Sequence, residues 1–431
     1  MRINSYCVLS TSTLLFFVFF MLIDIPHVNA QNEKYVATCL KIDGSLQHKS
    51  AGKWVPVKVR EKIPANSLLV GLPKAKLLSR NKKVVLDLLA DIGKRGPFPV
   101  LEPAVILHDN NKVDLDFTLD RGVVSITNLK VRGTSKVQVR FIDKVWNMTL
   151  NKPGTLVFME IFGRHTPGEA MFSSKLKESD KVIEVPNFDV VLLVAKGSIQ
   201  LETDTEIRTL TAPPGPSRLI WDNIFGLHKV ERLETLPKAA LRLPDKEEIQ
   251  KALRICGCTS RFNDEPVDEV LKSMVNEDSE ERRKVGVICM GALDRPAMLL
   301  DALRNEKHAD VRETAIVALR HWMGRKAGQT QKLYDTMRKE KDYPKIRARI
   351  LIGLLDGFSD ADLERPFTYE LLILFLEGKD LAVRHLAWWH LQRLARVGEI
   401  NYNPAGSEES RRAAIAEIRK VIPQGKLPKI K

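Results

Sequence analysis

The residues equipped for chemistry are few and scattered. Cys256-Gly257-Cys258 puts two thiols two positions apart. That spacing suits a soft metal or a redox disulfide, but zinc takes four ligands and no second close pair follows. Cys289 and His228 complete a metal site only if the fold gathers them, and one thiol of the pair could equally bond Cys289. Asp114 and Asp116 form a carboxylate pair of the kind used in glycoside hydrolysis. They lie on the polar face of an alternating strand, so a solvated edge is the expected setting. His385 and His390 fall on different faces of one helix, and the inner position of His390 makes it a core histidine. Trp388-Trp389 on the same helix can send one ring inward and one outward, which makes the pair a candidate partner-binding anchor. There is no Gly-x-Ser-x-Gly elbow, Walker A loop, His-Glu-x-x-His helix or Rossmann fingerprint. The sequence therefore assigns no catalytic residue, cofactor or metal.

The elements that would position these groups change class along the chain. From Tyr35 to about Leu210 the dominant period is two. Val113, Leu115, Phe117 and Leu119 alternate with polar partners on one half-buried strand. Turn signals such as Asp43-Gly44, Arg121-Gly122, Arg132-Gly133 and Lys196-Gly197 separate short strands. This pattern predicts an antiparallel β-sandwich or a β-solenoid. Val84–Asp91 fits a short helix as well as a strand. Pro213-Pro214-Gly215-Pro216 closes the region, and residues 217–244 read as a last strand and a connector. After Asp245 the period becomes 3.6. Val311-Arg312 with Ala315, Ala318 and Leu319 is echoed by Ile346-Arg347 with Ile350, Gly353 and Leu354. A further echo is Val383-Arg384 with Ala387, His390 and Leu391, and Val285 with Cys289, Ala292 and Leu293 is a weaker one. Repeating helical hairpins are expected, with the small residues buried where helices approach closely.

The amino terminus has the layout of an export signal. Arg2 is the only charge before Asp24, Leu14–Ile23 is continuously apolar, and Val28-Asn29-Ala30 suits cleavage between Ala30 and Gln31. An uncleaved anchor over residues 8–23 is the alternative. Residues 31–216 are then the β domain and 245–431 the helical one. The net charge of +14 is uneven: 31–100 carry 14 Lys/Arg against 5 Asp/Glu, whereas 101–244 carry 19 against 18. Residues 301–431 are again basic, with 25 against 18. Basic segments on an exported chain point to acidic polymers or anionic headgroups, and not to nucleic acid. Asn147-Met148-Thr149 matches a glycosylation sequon, silent in a bacterial setting.

Two resemblances follow from these residues. Asp310-Val311-Arg312 and its echoes resemble HEAT-like repeats over about 265–397, in which an aspartate and an arginine tie successive hairpins. Asp120-Arg121-Gly122-Val123-Val124-Ser125-Ile126 and Val191–Leu201 resemble the exported β domain of FecR-type transducers over about 35–212. The usual Gly-Thr-x-Phe turn of that family is missing, and Gly168-Glu169-Ala170-Met171-Phe172 stands near its place. The resemblance implies a periplasmic protein. The leading expectation is a non-enzymatic binding or scaffold protein of the cell envelope, with a protein or acidic polymer as partner. A FecR-like envelope sensor and an enzyme built on the β half are the alternatives.

Overall fold

The computed structural model describes residues 35–89, 103–164, 187–236, 254–395, 397 and 399–428, and the account below concerns these. The described residues belong to one compact unit, β-rich at the amino-terminal side and helical at the carboxy-terminal side. The segment expected to be an export signal, with Ala30 and Gln31, lies outside the described residues, as does Gly168–Phe172.

Five strands open the β region: β1 (Tyr35–Ser50), β2 (Lys53–Pro56), β3 (Lys62–Pro64), β4 (Leu68–Ser79) and β5 (Val84–Leu89). After β6 (Ala104–Leu107) come β7 (Leu115–Asn128), β8 (Ser135–Phe141), β9 (Lys144–Leu150), β10 (Leu156–Arg164) and β11 (Asn187–Glu202). β12 (Ile207–Ala212), β13 (Ser217–Asp222), β14 (Gly226–Leu227) and β15 (Glu231–Arg232) finish it. Val84–Leu89, ambiguous in sequence, is a strand between β4 and β7. The strands do not make a sandwich or a solenoid. β7, β8, β9, β11 and β10 pair in a closed ring, antiparallel except at β7–β8. The other strands extend the same sheet. Phe117, Val139, Phe141, Trp146, Met148 and Val190 fill the core, with Phe141 edge-on to Trp146 at 4.8 Å.

Closure depends on glycines that the sequence presents as turns. Gly122 lies inside β7 at φ +81°, and Gly197 lies inside β11 at φ +82°. Before Gly122, β7 pairs with β8 and β6; from it onward, β7 pairs with β10 and β5. β11 likewise passes from β10 and β13 to β12 and β9 across Gly197. A left-handed glycine corner lets one strand serve two walls of a barrel, and a closed barrel has no exposed edge along its ring. A sandwich needs a new strand at each such point; here one continuous strand bends.

A helical segment at 254–259 leads through a 3₁₀ turn (Ser260–Asn263) into the helical region. The expected helical opening at Lys246 falls outside the described residues. α1 (Val267–Met274) packs on α2 (Glu280–Ala292), α3 (Pro296–Leu303) on α4 (Ala309–Met323), and α5 (Gln329–Lys339) on α6 (Lys345–Asp356). After the short α7 (Asp360–Leu363), α8 (Pro366–Glu377) packs on both α9 (Leu381–Leu394) and α10 (Glu408–Val421). α2, α4, α6 and α9 also touch in succession.

The helix register is partly as the sequence suggests. Arg312 and Arg384 are each the fourth residue of their helix, and both are buried. Their guanidiniums reach back to carbonyls of the preceding loop: Arg312 to Asn305 at 2.6 Å, Arg384 to Gly378 at 2.8 Å. Arg283 and Arg411, unremarked in sequence, do the same from the same position, to Glu277 at 2.7 Å and Gly406 at 2.6 Å. Both follow a Ser-Glu-Glu-x-Arg string, which is the signal that marks them. Arg347 does not belong to this set. It is the third residue of α6, and its neighbour Ile346 is 75% exposed. The proposed echo in α6 is one residue out of step, and one residue turns a helix by about 100°. Ala348, Leu351 and Leu355 therefore face the core, and Gly353 faces open space. Ala315 and Ala318 are buried as expected.

The two regions share an interface. Trp54 of β2 sits in the helical core with Val70, Leu72 and Ala104, and its Nε1 donates to the Leu293 carbonyl at 2.7 Å. Thr259 Oγ1 donates to the Leu72 carbonyl at 2.9 Å, Gln47 to the Phe262 carbonyl at 3.0 Å, and Asn263 to that of Gly44 at 2.9 Å. The strands run on to Arg232, past the Pro213–Pro216 punctuation.

Candidate functional site

A cleft of about 170 Å³ opens where β7 and β8 begin. Its walls come from the β4–β5 turn (Arg80, Asn81), the β6–β7 loop (His108 to Asn111) and the start of β7. Asp114 and Asp116, the carboxylate pair of the sequence, both line it. Asp116 is not on a solvated edge; it is buried. Arg140 grips it with two bonds, Nε at 3.0 Å and Nη2 at 2.9 Å, and Asn110 adds a third at 2.8 Å. The β6–β7 loop and Arg140 cover that face, which a pattern of alternating residues does not reveal. Asp114 joins three segments. It accepts from Asn81 at 2.9 Å and from the Lys136 backbone at 2.9 Å, and it pairs with Lys130 at 2.8 Å and Lys83 at 3.4 Å. Burial alone would raise its pKa, but these lysines and hydrogen bonds hold the carboxyl below its ordinary value. His108 stands beside the pair, with Nε2 2.7 Å from Thr118 Oγ1 and Nδ1 3.1 Å from Asn66 Oδ1. Burial, aided by Arg140, pushes its pKa down.

The other sequence candidates lie apart from this cleft. Cys256, Cys258 and Cys289 are free thiols. Cys256 faces Asp43 and Lys41 of β1, whereas Cys258 faces the charges leading into α2; burial raises both thiol pKa values. Cys289 is inside the helical core. His228 is bonded to Asp222 at 2.5 Å in the β13–β14 corner. Among the described residues, no group of three or more His, Cys, Asp or Glu could hold a metal ion. Trp388 is buried against Tyr402, with ring centres 5.2 Å apart. Trp389 is half-buried and carries Arg393 3.8 Å above its ring, with Arg320 at 5.1 Å. His390 donates from Nε2 to the Leu354 carbonyl at 2.7 Å, a satisfied core histidine held neutral by burial, its pKa near 4. His385 is buried 3.5 Å from Arg312 Nε, and burial takes it to about 3. Asn147 is exposed on β9.

Asp120 and Arg121 are not a surface feature. Arg121 donates to the Ala292 carbonyl at 2.8 Å, and Asp120 pairs with Arg121 and with Lys326 of the helical region. The helical stack docks on this strand corner. No helix among the described residues is long and apolar enough to cross a membrane. Comparison with known proteins gives no matching family model, no matching curated protein and no matching solved structure.

Proposed function

We propose that this chain is a non-enzymatic binding or scaffold protein of the bacterial cell envelope, exported by its amino-terminal segment and presenting its surfaces to a protein or acidic polymer. The observation that carries this reading is the state of the carboxylate pair. A retaining or inverting hydrolase needs one carboxyl protonated to act as acid and the other free to attack or to activate water. Here Asp116 is fully engaged by Arg140 and Asn110, and Asp114 is held ionised among two lysines. Both groups brace the loops around the cleft. The polar interface that joins barrel and helices supports the scaffold part of the reading, because it gives a fixed relation between two surfaces.

The finer family readings are proposals of the same standing. The loop-clamping arginines at the fourth position of α2, α4, α9 and α10 support a HEAT-like repeat. So do the ion pairs Arg283–Asp310 at 2.9 Å and Arg347–Asp380 at 3.3 Å, which tie successive hairpins. The FecR-like reading of the β half rests on the sequence alone. Retention of the purified protein on anionic cell-wall material, measured from low to high salt, tests the function. Retention that falls as salt rises is expected; no retention at low salt, or retention indifferent to salt, would overturn it.

A further inference from the structure

The segments that Asp114 ties together carry far more positive than negative charge. The β4–β5 turn supplies Arg80, Lys82 and Lys83, the β7–β8 loop supplies Lys130 and Arg132, and the start of β8 supplies Lys136. Lys112 and Arg140 bring the cations of this end to eight, against Asp109, Asp114 and Asp116 and no glutamate. Each aspartate is already neutralised: Asp109 by Arg80 at 3.0 Å, Asp114 by Lys83 and Lys130, Asp116 by Arg140. The remaining four cations, Lys82, Lys112, Arg132 and Lys136, are exposed. Among the described residues no ion pair engages these four cations, and a surface of this kind attracts anions over about a Debye length.

We infer that this end of the β region binds a linear polyanion bearing sulfate or phosphate groups. The exposed cations belong to three separate segments, the β4–β5 turn, the β6–β7 loop and the β7–β8 loop with the start of β8, so they offer several contacts of the kind a chain of charges uses. The cleft has room for about five or six waters, so one substituent of the chain can enter while the rest crosses the rim. Arg132 offers a planar fork suited to tetrahedral oxyanions. The loop apex has two exposed apolar residues, Leu129 and Val131, too little apolar surface for insertion into a bilayer. This inference rests on the binding reading above and narrows it to one surface and one ligand chemistry.

Heparin and inorganic polyphosphate serve as probes, immobilised in turn, with the full chain in solution at low and high salt. The test variant is Lys112→Gln/Arg132→Gln/Lys136→Gln, whose side chains are exposed and outside the ion pairs that brace the loops. The control is Lys307→Gln/Lys345→Gln/Lys379→Gln, three exposed lysines of the helical region. The test variant should bind at least roughly tenfold more weakly, from the contribution of each cation to anionic attraction, with its thermal midpoint unchanged and the control binding like the parent. Equal losses in the two variants, or a loss in the control alone, would overturn the assignment to this end and leave the general binding reading standing. Absence of binding to both probes at low salt would overturn this inference, while the general reading stands or falls on retention by cell-wall material. Binding to vesicles rich in anionic lipid but to neither probe would overturn the choice of a soluble polyanion.

Discussion

Replacing Trp54 by alanine should uncouple the two halves. Trp54 is a residue of the β region whose ring lies in the core of the helical one, 7% exposed, with its indole N–H bonded to the Leu293 carbonyl at 2.7 Å. Truncating a buried tryptophan costs about 3–5 kcal/mol through lost transfer energy and an unfilled cavity. The Leu293 carbonyl loses its indole donor as well, which adds about 1–3 kcal/mol if no water replaces it. The loss falls on an interface, so it weakens the coupling between regions more than either core. In urea, the parent should unfold in one transition followed by far-UV circular dichroism, and Trp54→Ala in two. Trp54→Phe keeps most of the packing and removes only the hydrogen bond, so it should lose about 1–2 kcal/mol and keep one transition. A single transition in Trp54→Ala, within about 1 kcal/mol of the parent, would refute the shared-interface argument.

Gly44 holds φ +94°, and an added Cβ would lie 2.2 Å from the Leu72 carbonyl oxygen and 2.5 Å from Thr259 Oγ1. Gly44→Ala should therefore cost well over the roughly 1–2 kcal/mol of left-handed strain alone, whereas Gly52→Ala, at φ +79° with nothing within 4 Å, should cost only that strain; urea midpoints compare them. Arg312→Ala and Arg384→Ala should each lose about 2–4 kcal/mol by stripping buried carbonyls of charged donors, and Arg347→Ala, at the exposed position, less than about 1 kcal/mol. His390 has a folded pKa near 4 against an ordinary 6.5. The unfolded chain thus binds the extra proton first, so this contribution is full above pH 6.5 and is lost as pH falls toward 4. The loss is on the order of 3 kcal/mol, and His390→Asn should flatten that part of a stability–pH profile.

The order of the two classes was legible because period is a local property. Val137, Val139 and Phe141 alternate, Ala315, Ala318 and Leu319 recur at helical spacing, and no distant contact is needed to read either. Topology was less legible. Arg121-Gly122 and Lys196-Gly197 look like hairpin turns, because a left-handed glycine is the shared feature of turns and of strand corners. Only the partners on each side distinguish them, and those are remote in sequence. The same limit governed the cleft. Asp114 and Asp116 were visible as a pair, but their condition is set by Lys83, Lys130 and Arg140, which come from three other segments. The one-residue slip at Ile346 has a plainer cause. α6 is rich in branched and long apolar residues, so two adjacent registers fit its sequence almost equally well, and packing on α5 and α9 selects one.

Charge shows most directly why position outranks composition. The sequence has two basic regions, and taken as sums they look alike. In the helical one, Arg312, Arg325 and Arg384 are buried and bonded to backbone carbonyls, of Asn305, Gly291 and both Gly378 and Pro404. Burial lowers the pKa of Arg312 and Arg384, which is the signature of cations spent on structure. Such a guanidinium serves as a multiple donor to loop carbonyls, and its field outside is screened by the dipoles that solvate it. At the cleft the arrangement is the reverse. Its aspartates are already paired, Asp116 buried, Asp114 half-buried and Asp109 exposed, while Lys82, Lys112, Arg132 and Lys136 are exposed. Part of the helical region's positive charge is therefore turned inward, whereas the unpaired cations beside the cleft are all exposed. A salt-sensitive ligand should accordingly find the barrel end, even though the helical region contributes more cations to the total.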